Sequence, residues 1–401
     1  MLNHQQIKQQ FPIFGQYPGL VYLDNASTTQ KPARVLDAER DFYVNSNANV
    51  HRGVYGLAER ADDAYELARQ TVADFMGVKS GQIIFTKNAT EAANLLAFGI
   101  GEQLVKPGDN VIVTELEHHA NFLPWQEMAA RKQAELRVVP FLEESGELDK
   151  LALDRLINDR TRVIAVTEMS NVLGTRPDLN TIIEHAHQHG ALAVIDAAQS
   201  LPHLHTDYGK LQADAVFFTG HKIYGPMGTG ILYVSDYLAE TMTPLLTGGG
   251  MIKELPDLWL DPPRKFEAGT PNVAGLVGLA DALNFVKEIG RKEIVQHENE
   301  LAARCRKMLE TIPQVKMFVP QDRSQQSSIV AFDLEKVHPH DLASILAEDQ
   351  ICIRAGHHCA KPLLKRLGRN VLARVSLGIY NTTGDLDKLY AGIMKAIKVF
   401  Q

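Results

Sequence analysis

Five short runs of apolar sequence do most to limit what this chain can become. They are Val111-Ile-Val-Thr114, Val163-Ile-Ala-Val-Thr167, Leu192-Ala-Val-Ile195, Ala215-Val-Phe-Phe218 and Ile231-Leu-Tyr-Val234. A strand wetted on one face alternates apolar and polar residues. These runs do not alternate, so they suit strands covered on both faces, as in a mostly parallel sheet with helices on either side. Between the second and third runs, Leu179, Ile182, Ile183 and Ala186 recur at i, i+3, i+4 and i+7. Asp178 can cap the start of that helix and Gly190 can end it. Strand, helix and strand in this order form a βαβ unit, so the fold class is α/β.

The last third follows a different pattern. Amphipathic helices are expected through Leu301, Cys305, Met308, Leu309 and Ile312, after Asp341 through Leu342, Ile345 and Leu346, and through Leu386, Leu389, Tyr390, Ile393 and Ile397. Strand-like pieces (329–332, 351–353 and 374–377) lie among them. The expected organisation is an N-terminal arm over 1–20, a large domain over 21–282 and a smaller α+β domain over 283–401.

Composition removes several function classes. Lys and Arg number 41 against 48 Asp and Glu, a net charge of −7 with no dense basic block, so nucleic acid is not an expected partner. Three cysteines cannot build a disulfide framework, which fits a reducing compartment. No apolar run reaches the roughly 18 residues of a membrane span, and the first residues carry no basic-then-apolar signal. A soluble cytoplasmic protein is expected, with no membrane partner.

Four segments could carry chemistry. In Asp214-Ala-Val-Phe-Phe-Thr219-Gly-His221-Lys222, a buried strand delivers a lysine. Desolvation there disfavours the ammonium and makes the amine nucleophilic, as Schiff-base chemistry requires. Taken alone, Lys222 also reads as a surface-loop lysine. Asp196 ends another buried strand, on the edge where open α/β sheets bind ligands. It can pair with a pyridinium nitrogen or serve as a helix N-cap. The stretch from Phe85 through Ala89 and Thr90 enters a helix whose first N–H groups suit a phosphate. In Glu117-His118-His119, an imidazole could stack on an aromatic cofactor. The paired histidines supply no convincing metal-ligand set, and no metal is expected.

Taken with other segments, these motifs resemble those of the fold-type I, class V aminotransferase-like enzymes that use pyridoxal phosphate (PLP). Within them, the chain is similar to cysteine desulfurases of the type that includes SufS and CsdA. The segments are LDNASTTQKP, NVHRGVYGLA, ATEAANL, EHHANFLPW, MSNVLGT, VIDAAQS, FFTGHKIYGPMGTG, EAGTPN, RAGHHCAKP and RVSLGIYNT, in family order from residue 23 to residue 382. Lys361 and Gly378 depart from the commoner pattern, and 321–328 is short and polar.

The resemblance implies a PLP-binding large domain and a set of roles. Lys222 would carry PLP and move the Cα proton. Asp196 would hold the ring nitrogen, Gln199 the phenolate oxygen, and His118 the ring face. Ala89, Thr90, Thr219 and His221 would hold the phosphate, and Thr270 the phosphate of a second subunit in a homodimer. Asn171, Arg354 and Arg374 would bind the substrate, L-cysteine or L-selenocysteine. Cys359 would take the sulfur as a persulfide, leave L-alanine, and pass the sulfur to a SufE- or CsdE-like acceptor for iron–sulfur cluster assembly or related traffic. A selenocysteine lyase and a non-enzymatic sulfur-transfer scaffold are the alternatives.

Residue types favour Cys359 as the reactive thiol, because Arg354, His357, His358 and Lys361 surround it in sequence and positive neighbours favour thiolate. Cys305 and Cys352, each on an apolar face, are expected in the core.

Overall fold

The computed structural model describes residues 4–51, 53–254, 258–322, 325 and 327–400. Arg52 of NVHRGVYGLA and positions 323, 324 and 326 of the polar segment lie outside these. The central sheet holds β1 (Ile83–Thr86), β2 (Asn110–Thr114), β3 (Glu135–Val139), β4 (Thr161–Thr167), β5 (Leu192–Asp196), β6 (Ala215–Thr219) and β7 (Gly230–Val234). Their spatial order is β1-β7-β6-β5-β4-β2-β3. All five expected runs are strands. The connection from β6 to β7 is residues 220–229, too short for a helical crossover. Accordingly, β7 runs antiparallel to both neighbours, while β6, β5, β4, β2 and β3 pair in parallel.

Alternate residues of each buried strand enter different cores. Ile112, Ile164, Val166, Ile195, Val216, Phe218 and Ile231 pack on one side, and Val111, Val113, Val163, Ala165, Val194, Phe217 and Leu232 on the other. This two-sided burial is why the runs lack polar alternation.

Helices α1 (Ala33–Asn45), α2 (Gly56–Met76), α3 (Ala89–Leu104), α4 (His119–Lys132), α5 (Leu179–Gln188) and α6 (Val273–Ile289) accompany this sheet. The Asp178 side chain accepts from Thr181 N and caps α5 as expected. Among the described residues, no helix is long and apolar enough to cross a membrane.

The C-terminal part comprises α7 (Arg291–Glu310), α8 (Pro339–Glu348), α9 (Lys361–Arg366) and α10 (Thr383–Val399). They pack around an antiparallel sheet of β8 (Val315–Phe318), β9 (Ile329–Leu334), β10 (Arg354–Gly356) and β11 (Leu372–Ser376), ordered β8-β9-β11-β10. The second expected helix starts two residues before Asp341, because Pro339 occupies its first turn and the His338 side chain caps it.

The two parts are tied through the start of the chain. Val21 and Tyr22 pair in parallel with Ile351 and Cys352, and Val21 and Leu23 join the C-terminal core. Phe11 of the arm meets Tyr224, Phe285 and Tyr380 edge-on, with ring centroids 5.9, 5.9 and 4.8 Å away.

Candidate active site

The C-terminal ends of β2, β4, β5 and β6 share one edge of the sheet, and the residues just beyond them line a cavity of about 240 Å³. Asp196 ends β5, and one carboxylate oxygen accepts from Ala198 N at 2.9 Å. Burial raises this carboxyl to about 6 against the pull of that bond and of Lys222. Lys222 closes a single 3₁₀ turn, Gly220–Lys222, after β6. Burial lowers its amine to about 8, and Asp196 and Cys359 partly oppose the drop. Lys222 is therefore the desolvated amine that the sequence suggested, set among the same cavity walls as the carboxylate.

Opposite them, His118 caps α4 by accepting from Ala120 N through Nδ1 at 3.0 Å. Burial foremost, and then Lys222, push this imidazole to about 3, so the ring is uncharged. At the head of α3, Asn88 caps Glu91 N, and the first intrahelical bond runs from Ala92 N to Asn88 O. The N–H groups of Ala89 and Thr90 precede that bond. Gly230 passes directly beneath, where a Cβ would lie 2.5 Å from the Asn88 backbone. Only glycine lets β7 run this close to the helix start.

Several polar atoms around the cavity are buried without a hydrogen-bond partner: Gln199 Oε1, His221 Nδ1, Asn171 Oδ1, His358 Nδ1 and Arg374 Nε. Gln199 Nε2 donates to Ala26 O at 2.8 Å and has a second hydrogen to offer. Unpaired buried groups are costly, so a cluster of them around one cavity fits a polar occupant. A carboxylate for a ring nitrogen, an amide for a phenol oxygen, a neutral imidazole for the ring face and a helix N-terminus for a phosphate together suit PLP.

The substrate side is built by the two ends of the chain. Arg374, on β11, is buried; it donates to Asn171 O (2.9 Å), Asp24 Oδ1 (3.0 Å) and Ser27 Oγ (3.0 Å). Arg354 faces it across β10 and β11. It is half-exposed, donates to Ser27 Oγ at 3.1 Å, and lies 3.8 Å from Asp24. Asp24 and Ser27 lie in LDNASTTQKP, where nothing in the sequence marks them as partners of an arginine. Lys31 was also missed. Burial lowers its amine to about 7, and it donates to the carbonyl of His221, the residue before Lys222, at 3.0 Å.

Cys359 lines the same cavity and is half-buried. Its backbone and that of His358 are left-handed, with φ of +52° and +50°, a region costing roughly 1–2 kcal/mol per non-glycine residue. Two expectations about the cysteines need correction. His358 was read as a positive neighbour, but it is buried, lowered to about 3 and therefore uncharged. Among the charges that interact with Cys359 are Lys222 and Arg374, contributed by other elements. Cys305 is fully buried as expected, whereas Cys352 is only partly buried. Its strand is two residues long and pairs with Val21–Tyr22 alone, so Ile351 faces the core and Cys352 turns the other way, toward Asp24.

Among the described residues, no three His, Cys, Asp or Glu are grouped to hold a metal. Thr270 does not line this cavity. It is exposed on a second one of about 220 Å³ with Lys87, Gly228 and Asn272. Nearby Glu267 is fixed by Arg69, Tyr65 and Phe85 N, all at 2.8 Å.

Comparison with known proteins agrees with this geometry. The family model for aminotransferase class-V matches residues 21–389. A probable cysteine desulfurase of Halalkalibacterium halodurans is 41% identical over 406 residues, covering 100% of this chain and 99% of that protein. A cysteine desulfurase of Dickeya dadantii is 41% identical, with 97% and 95% covered. The crystal structure of the Escherichia coli cysteine desulfurase CsdA superposes with a TM-score of 0.93 at 37% identity, covering 100% of both chains.

Proposed function

This chain belongs to the class-V aminotransferase family and is a PLP-dependent cysteine desulfurase, and on that premise we propose how its residues divide the work. The observation that carries the assignment is that Lys222 and Cys359, from different halves of the molecule, line one cavity. When bound, PLP supplies an electron sink that stabilises negative charge at the substrate Cα.

Lys222 is the residue that would hold the cofactor. With the substrate bound, its free amine would be the base that takes the Cα proton and returns it as L-alanine forms. Its lowered proton affinity supports this, because a base poised near neutral pH transfers protons efficiently. Asp196 would hold the ring nitrogen, Gln199 would donate to the phenol oxygen, and His118 would cover the ring. Ala89 and Thr90 N–H, with Thr219 and His221, would hold the phosphate.

Arg374 and Asn171 orient the substrate carboxylate, and Arg354 borders the entrance. The Cys359 thiolate attacks the sulfur of L-cysteine. A sulfur–sulfur bond forms, the Cβ–S bond breaks with its electron pair left on Cβ, and protonation there gives the methyl group of L-alanine. The sulfur remains on Cys359 as a persulfide.

Two partners complete this reading. The exposed position of Thr270 beside Lys87 and Gly228 supports a homodimer in which it meets the cofactor phosphate of the second subunit. Exposed Lys361 and Lys365 next to Cys359 support a protein sulfur acceptor docking at 354–362. A cytoplasmic setting is part of the same proposal. The direct test is to mix purified protein with L-cysteine, quantify alanine and map the persulfide by mass spectrometry. Alanine formation with no sulfur on Cys359 would sink the assignment of the thiol.

A further inference from the structure

Adjacent histidines at the head of α4 face two parts of the site. His118 lines the cavity. His119 does not line it, and no role has been read for it. Its backbone N–H, the first donor of α4, gives its hydrogen to Cys359 O at 2.7 Å. Its side-chain Nε2 accepts from Lys361 N at 3.1 Å. The bonds therefore fall on either side of Ala360, one on the catalytic cysteine and one on the first residue of α9.

Other bonds complete the hold on this loop. His357 Nδ1 accepts from Cys359 N at 3.0 Å, and Asn171 Nδ2 donates to His358 O at 2.6 Å. Two successive left-handed residues are unfavourable on their own and persist when surrounding bonds dictate them. His119 supplies two of those bonds from the large domain to the C-terminal domain.

We propose that His119 is a positioning residue for sulfur abstraction, clamping the loop so that the Cys359 thiol stays aimed into the cofactor cavity. The clamp needs an unprotonated Nε2, because a protonated imidazole would set N–H against the Lys361 N–H. Burial first, and then His357 and Lys361, hold His119 below the usual imidazole range. The groups facing it are His357, with ring centroids 5.8 Å apart, Lys361 on α9, neighbouring His118 and Cys359 itself. The clamp is therefore closed at neutral pH and opens as pH falls through that lowered value.

The proposal rests on Cys359 being the sulfur-accepting thiol, so its test reads the loop separately from turnover. In PLP-loaded His119→Ala, alanine formation from L-cysteine is expected to fall about tenfold, in line with the cost of misplacing a reacting group. Exchange of the Cα hydrogen of L-alanine with solvent, which needs the cofactor and Lys222 but no thiol, should stay within twofold. Deuterium uptake by the 357–366 peptide, without substrate, should accelerate. His119→Gln can still accept through Oε1 but cannot titrate. It should restore slow uptake and most turnover while losing the acid-side decline attributable to His119.

Unchanged uptake in His119→Ala overturns the clamp, as does an equal fall in Cα exchange and alanine formation. A wild-type acid limb retained in His119→Gln overturns the titration. Slow uptake restored by glutamine in a protein whose Cys359 carries no sulfur would instead leave the clamp standing and remove the reading of the thiol.

Discussion

Lys222 and Cys359 share a cavity but are held there in opposite ways. Lys222 follows a fully buried strand of the central sheet, and its altered proton affinity comes first from removal of water. Cys359 stands on a half-buried turn of the C-terminal part, held by bonds to its backbone and facing charges that its own loop does not supply. An amine can be tuned by burial alone. A thiol that must reach a substrate and then deliver its cargo needs a partly open, tethered position. The two sites should therefore fail differently.

The largest effect is expected at the amine. Lys222→Ala should abolish the visible absorbance of lysine-bound cofactor and lower alanine formation by roughly 1,000-fold or more, since it removes both the anchor and the base. Cys359→Ala should lower alanine formation by a similar order yet leave that absorbance unchanged, and a titration with PLP would show equal binding. If the thiol variant also lost the cofactor, the separation between the two sites would collapse. Asp196→Asn should cost about 100-fold in turnover with cofactor still bound, because a neutral amide cannot keep the ring nitrogen protonated.

A pH measurement sharpens the contrast from the sheet side. Glu117, beyond β2, accepts from Thr114 Oγ1, Asn121 Nδ2 and Thr167 N and is fully buried. Burial raises it to about 8, above its unfolded value, so the folded state binds the extra proton. Its contribution to stability is complete below about pH 4.5 and is lost as pH rises through 8, on the order of a few kcal/mol. Glu117→Gln should flatten the fall in melting temperature between pH 5 and 8.5.

The smallest effect on activity belongs to the buried thiol away from the site. Cys305→Ala should leave alanine formation within twofold and cost about 1 kcal/mol of stability by thermal denaturation. A large loss of turnover would mean that position in the sequence is a poor guide to which cysteine reacts.

What could be read in advance follows from locality. The buried strands were legible because their whole signal lies within five residues, as in Val163–Thr167. β3 was not, since Glu135-Leu-Arg-Val-Val mixes charge into an edge strand with only Val139 buried. Family motifs pointed to Lys222, Asp196 and Arg374, which the fold brings to one cavity. They did not disclose that Asp24 and Ser27 anchor Arg374, because that contact joins residues about 350 apart. Residue types around Cys359 misled about His358, whose charge depends on how deeply a left-handed turn buries it. The orientation of Cys352 could not be read from alternation when only two residues pair.

The guanidinium that Asp24 steadies arrives on β11, long after Asp24 itself has been made. Until β11 emerges and folds back onto residues made some 350 steps earlier, the nascent polypeptide has no finished mouth for its amino-acid guest. A chain cut before β11 would keep Lys222 but lack Arg374.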